Sequence, residues 1–196
     1  MLRGFWNRTF LLSLTVCFGA HAAKLQLVTG DDYAPLTGRA LAGGGMLTTV
    51  VQAAFDRSGA ASSLAWQPWN RGYMNTLRGE YDATFPYIRT KHREQAFLYS
   101  APLYVSEQHL FSRVTDAIEV DELAECALLL LLGRDDVFLA DLQLGLQALQ
   151  STGAARPRFH VSSSVLSRQT MHLIVPRGRP DAAQLIESFD RGLQAL

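Results

Sequence analysis

The chain has 196 residues, enough for one large domain or two small lobes with a real core. Apolar residues make up 48%, which excludes a disordered chain. Basic and acidic residues are equal at 18 each, so the basic excess of a nucleic-acid binder is missing.

The first 22 residues carry Arg3 and Arg8 and no acid, and without them 16 basic residues face 18 acidic ones. An apolar run from Thr9 to Ala20 follows, then Ala20 and Ala22 in an A-x-A arrangement. That order reads as a secretory signal, 1-22, cleaved after Ala22. The run is short for a stable membrane span. An N-terminal core helix and lipid attachment at Cys17 are the alternatives. Val16 stands where a small residue precedes a lipidated cysteine, which favours plain export. Removal of the leader leaves one cysteine, Cys126, which cannot form an internal disulfide and reads as a buried apolar residue. The five histidines, at 21, 92, 109, 160 and 172, form no i, i+4 pair, so neither a metal nor a cofactor is expected.

"KLQLVT" from Lys24 alternates apolar and polar residues and predicts a first strand. The Gly/Pro/Asp-rich stretch up to Gly44 predicts a loop. "MLTTVVQAAFDRSG" predicts a helix with Met46, Leu47, Val50, Val51, Ala54 and Phe55 on one face, ended by Gly59. "SSLAWQPW" predicts a second strand limited by Pro68. "NRGYMNTLRGE" predicts a helix capped by Asn70 and closed by Gly79, with Trp69, Tyr73 and Leu77 one turn apart. "YDATFPY" is a third strand, and this β-α-β-α-β order predicts a parallel sheet with helices outside.

Four basic residues then crowd into Arg89 to Arg93. Thr90 can cap a short helical turn there, with Glu94 nearby as a reciprocal cap. Arg89, Lys91 and His92 read as a solvated face, and Arg93 could pair with Glu94 or Asp82. "LYSAPLYVSEQHLFSR" is extended, with Val105, His109 and Phe111 in β-prone surroundings. "VDELAECALLLLLGRDD" predicts a helix ended by Gly133. Its five leucines, 128 to 132, are apolar on every side, so the segment is wholly buried or has lost its cover. "DVFLAD" is a strand, "LQLGLQALQSTG" a short helix that Asp141 can cap, and "FHVSSSV" and "TMHLIVPR" two more strands. "PDAAQLIESFDRGLQAL" predicts an amphipathic helix with Ala182, Leu185, Ile186, Phe189 and Leu193 on one face, started by Pro180 and Asp181.

Four of these stretches, in this order, resemble the periplasmic solute-binding proteins of the amino-acid (family 3) type that serve ABC importers. They are "DDYAPL", "GEYDATFPYIRTKHREQAFLYSAPLY", "GRDDVFLAD" and "MHLIVPRGRPDAAQLIESFDRGLQAL". The second carries a strand, then T-x-x-R, then an aromatic-Ser-x-Pro-Tyr-like segment. The resemblance implies an α/β, periplasmic-binding-protein-like fold: two lobes, each with a mostly parallel sheet flanked by helices, and ligand between them. Residues 23-108 and 173-196 would form the first lobe and 109-172 the second. It implies that Arg93 holds a ligand carboxylate, with Thr90 at the helix start, and that Asp141 pairs with an α-amino group. A guanidinium fork suits that task, since it meets a carboxylate with two parallel hydrogen bonds. Tyr33, Trp69 and Tyr87 would wall the apolar part of the ligand. The expected partners are a small-molecule ligand (amino acid or organic acid) and an inner-membrane ABC permease, with no nucleic acid; a periplasmic monomer without catalytic residues is expected.

The pattern departs from the family in three places. Phe85, Pro86 and Ile88 stand where small hydroxyl residues usually precede T-x-x-R, and Pro86 lacks an N–H to donate, which points away from an ordinary α-amino-acid site. "DELAEC" runs straight into the leucine segment, so the second lobe is expected to be reduced near Glu125 to Ala127, and the final helix of the family does not follow Leu196. A degenerate binder with weak affinity is then one expectation. An envelope sensory or interaction module is a second. A dehydratase-like enzyme is a third, with Asp31, Asp32 and Glu80 as its only placed acids.

Overall fold

The structure, a computed structural model, describes residues 24–112, 137–152 and 159–196. The export signal, Cys17, Cys126, the leucine segment and the shortening near Glu125 fall outside the described residues.

The chain begins as expected. Strand β1 (Leu25–Thr29) leads through a loop with a 3-10 turn (Ala42–Gly44) into helix α1 (Met46–Arg57). Strand β2 (Ser62–Trp66), helix α2 (Trp69–Leu77) and strand β3 (Ala83–Ile88) follow. Strands β2 and β3 flank β1, both parallel to it. Gly59 and Gly79 follow α1 and α2 with φ of 79° and 82°, a conformation that side chains resist.

One turn of helix, α3 (Lys91–Glu94), then leads to β4 (Phe97–Tyr99) and the long β5 (Tyr104–Ser112). Beyond it lie β6 (Val137–Asp141), α4 (Leu142–Ser151), β7 (His160–Val161), β8 (Ser167–Pro176) and α5 (Ala182–Gln194). The described strands join one sheet in the order β2-β1-β3-β8-β5-β6, with β4 on β8 and β7 on β5. Strand β8 runs antiparallel to β3, β4 and β5, and β5 antiparallel to β6 and β7. The sheet is therefore mixed, which corrects the mostly parallel expectation. Local β-α-β order sets only β1–β3; the later strands return from far along the chain.

The larger core packs Leu27, Val51, Phe55, Phe85, Leu173 and Phe189 between β1, β3, β8 and the helices α1 and α5. Phe55 and Phe189 meet with ring centroids 4.8 Å apart. A second core gathers Phe111, Phe138, Ala148 and Leu149, with the two phenylalanines stacked at 4.8 Å.

Four local readings are corrected. Met46 is 47% exposed, and Thr48 is buried on the inner face of α1 instead. Asn70 lies inside α2, because Gln67 N–H still donates to Thr29 and the chain turns at Pro68. "FHVSSSV" pairs at only two residues, while β8 starts early, at Ser167, where β5 offers partners from Gln108 back to Tyr104. Glu94 does not complete a reciprocal cap; its carboxylate pairs with Arg89.

Helices α1 and α5 pack so closely that a Cβ on Gly192 would lie 2.0 Å from the Ala54 carbonyl oxygen. Replacing Gly192 with Ala is expected to destabilise the chain by about 1–3 kcal/mol in urea unfolding, since the obstacle is backbone and cannot swing aside. An unchanged midpoint would contradict this packing.

Candidate functional site

Residues 79 to 104 fold as strand β3, a sharp bend, α3 and β4. Thr90 is extended (φ −136°, ψ 149°), and its hydroxyl accepts the Arg93 N–H at 3.3 Å. The Arg93 guanidinium donates through Nη1 to the Ile88 carbonyl at 3.1 Å and lies 5.3 Å from the centre of the Tyr87 ring. That backbone tether and the ring contact fix a side chain with many rotamers. Of the two carboxylates the sequence suggested for Arg93, Glu94 pairs with Arg89, and Asp82 lies at the far end of β3 and pairs with Arg179. Among the described residues, Arg93 forms no salt bridge. With α3 one turn long, its dipole is small. The cation on offer is the guanidinium.

Three aromatic rings stand beside it. Trp69, the first residue of α2, meets Tyr33 at 5.8 Å and Tyr87 at 6.0 Å, each pair near a right angle. Trp69 Nε1 donates to Asp32 Oδ1 at 2.6 Å, and the Tyr87 hydroxyl donates to the Trp69 carbonyl at 3.3 Å. Gly30 gives the indole its seat, since a Cβ there would lie 2.2 Å from the ring. These rings, with Pro86, Ile88, Met171 and Arg93, line a cavity of about 250 Å³. An adjoining hollow of about 350 Å³ shares Trp69, Tyr87 and Arg93 and adds Asn70, Tyr73 and His92.

Of the six residues singled out in the sequence, the cavity therefore gathers Tyr33, Trp69, Tyr87 and Arg93. Thr90 stays on the exposed rim as the α3 cap. Asp141 lies outside the lining and is 3% exposed. Its Oδ1 accepts the N–H groups of Gln143 at 2.9 Å and Leu144 at 3.2 Å, and the Tyr104 hydroxyl reaches both its oxygens at 3.0 and 3.2 Å. The structure thus shows it as the cap of α4, with Oδ1 taken by two backbone N–H groups and the Tyr104 hydroxyl shared between its oxygens. Met171 had no signal in the sequence; it arrives because β8 pairs Met171 with Ile88. Pro86 and Ile88 stood out only as departures from a pattern.

Electrostatics follow the geometry. Burial raises the Tyr87 phenol, opposed by the nearby Thr84 hydroxyl and the Arg93 charge. Burial and the Asp141 carboxylate raise Tyr33. Tyr104 is pushed furthest above the usual phenol range, by burial and then by Asp141. The acids considered for catalysis are each engaged: Asp31 with Arg39, Asp32 with Trp69, Glu80 with Arg78. Among the described residues, no helix is long and apolar enough to cross a membrane, and no cluster of three or more His, Cys, Asp or Glu could hold a metal ion.

No protein-family model and no curated protein matches the chain. Solved structures do. A histidine kinase sensor domain with similarity to periplasmic binding proteins superposes with a TM-score of 0.72 at 15% identity, over 88% of this chain and 90% of that one. The glutamate-bound ligand-binding core of GluR0 from Nostoc punctiforme gives 0.69 at 16%, over 88% and 92%. The arginine-, lysine-, histidine-binding protein ArtJ from Geobacillus stearothermophilus gives 0.65 at 15%, over 88% of each chain. The fold is periplasmic-binding-protein-like.

Two outcomes are expected here. Replacing Gly30 with Ala should displace the indole of Trp69 and change the tryptophan near-UV dichroism; an identical spectrum would contradict the close seat. Raised tyrosines stabilise the folded chain below about pH 10, where unfolded phenols stay neutral, and that stability drains as pH climbs toward the folded values. Thermal melts from pH 8 to 11 should therefore show a falling midpoint above about pH 10. Tyr104→Phe should cost about 1 kcal/mol at pH 8 and flatten that fall; a parallel decline in both proteins would remove Tyr104 as a cause.

Proposed function

We propose that this chain captures a small carboxylate-bearing solute in the cavity of Tyr33, Trp69, Tyr87 and Arg93. One observation carries the reading. A guanidinium without a carboxylate partner among the described residues sits tethered beside three aromatic rings in one hollow. Such an arrangement offers a planar fork to a carboxylate and apolar walls to the rest of the guest. The fold supports it, because similar folds include ArtJ, which binds basic amino acids, and a GluR0 core holding L-glutamate.

In the fuller form of the proposal, the first lobe comprises residues 23–108 and 173–196, and a reduced second lobe comprises 109–172. Closure bends the strands through 105–113 and 170–176. The chain works in the periplasm after loss of its leader and hands its solute to an ABC permease. The sensor domain among the similar structures favours one other use of the same cavity, a sensory module whose bound state is read by another envelope protein. Uptake of a bound solute by cells with and without the chain separates the two.

Isothermal titration against amino acids and small organic acids tests the capture itself. Arg93→Ala is expected to weaken every carboxylate that binds by about 2–3 kcal/mol, or roughly thirtyfold or more, with Arg93→Lys between the two. Unchanged affinity in Arg93→Ala, with the fold intact by circular dichroism, would remove Arg93 from the site.

A further inference from the structure

The cavity can hold the carboxylate of a guest, yet it is poorly furnished for an α-ammonium group. An ammonium brings three donors and needs acceptors once it leaves water. The described lining includes no Asp or Glu. The Ile88 carbonyl already accepts one hydrogen bond, from Arg93. The Tyr87 hydroxyl donates to the Trp69 carbonyl, and its oxygen offers only a neutral acceptor, with no charge to meet an ammonium.

Two described acids lie beside lining residues. Asp32 is exposed and accepts the Trp69 indole N–H, so drawing it toward an ammonium would release the ring that forms the wall. Asp141 is near enough to raise the Tyr33 phenol, but it is buried and holds two backbone N–H groups and the Tyr104 hydroxyl. An ammonium laid on an aromatic face finds the same difficulty. The Tyr87 ring already has the Arg93 cation over it, and a second cation would be repelled.

The remaining surface is apolar. Tyr33, Trp69, Pro86, Ile88 and Met171 form it, and the two ring pairs meet at 85° and 82°. A planar guest lying against one ring therefore meets the next edge-on, which aromatic quadrupoles favour. The aromatic hollow itself holds about 250 Å³, with the adjoining hollow of about 350 Å³ sharing Trp69, Tyr87 and Arg93, which suits a small guest.

We infer that the preferred guest is a small aromatic or branched-aliphatic monocarboxylate lacking an α-ammonium group, an inference that rests on the capture reading above. In the bound state the Arg93 fork takes the carboxylate, and the ring or branched chain lies among Tyr33, Trp69, Ile88 and Met171. Desolvation then falls on a group with a partner and on carbon that gains by it.

Matched pairs test this with the full chain at neutral pH. Titrations compare 3-phenylpropionate with L-phenylalanine, and 4-methylpentanoate with L-leucine; each pair differs by the amino group alone. At least one acid is expected to bind, at least tenfold tighter than its amino-acid partner, and to lose that binding in Arg93→Ala. A ratio below tenfold in both pairs, or a tighter amino acid in either, overturns the inference and leaves carboxylate capture standing. Silence from all four with a titration by L-glutamate or L-arginine has the same meaning. No binding by any of the six brings down the inference and the capture reading together.

Discussion

Strand β8 has to satisfy hydrogen bonds along both of its edges, and the arrangement around it follows from how it does so. Its early residues, Ser167 to Met171, pair with β5, while Met171 to Pro176 pair with β3 and β4. A buried backbone without these partners would be costly, so the strand fixes the register of everything it touches. Side chains reinforce the junction. His172 is buried, with Nδ1 2.7 Å from the Ser100 carbonyl and Nε2 2.8 Å from the Thr170 hydroxyl. Ser100 Oγ in turn accepts the Leu173 N–H at 3.0 Å. The bend from β4 into β5 is thereby stitched to β8, and Met171 is delivered beside Ile88 at the cavity.

The site depends on how charge is shared out around it. Among the described residues Arg93 has no carboxylate partner, and the adjacent Glu94 is held by Arg89. An exposed pair such as Arg89–Glu94 adds little to stability. Its effect is to keep the adjacent acid away from the guanidinium that faces the hollow. The aromatic wall is interlocked in the same manner, with Trp69 held by Asp32, by its seat on Gly30 and by its contacts with Tyr33 and Tyr87. A preformed wall and a tethered cation lose little freedom on binding, which is where affinity in small cavities is gained. Similar folds include an amino-acid-binding protein and a histidine kinase sensor domain, so the chemistry of this cavity, and not its architecture, bears on function.

Asp141 shows how one residue type can satisfy two readings. An aspartate between a strand and a helix is a helix cap by local chemistry and, by resemblance, a ligand group. The structure has it capping α4, because two backbone donors and the Tyr104 hydroxyl converge on a side chain that is almost wholly buried. Nothing near position 141 in the sequence points to Tyr104, which comes from a strand 37 positions earlier.

Periodicity alone determined the first three strands, α1, α2 and α5, because the spacing of apolar residues is a local property. Thr90 as the α3 cap was equally legible, since a cap reaches only three residues. So was the clustering of Arg93 with Tyr87, neighbours across a single bend. Tertiary structure decided the antiparallel entry of β8 and β4 into the sheet, the arrival of Met171, and which acids Arg89 and Arg179 took. Those outcomes depend on competition among groups far apart in the chain, and spacing along a sequence holds no record of which competitor prevails.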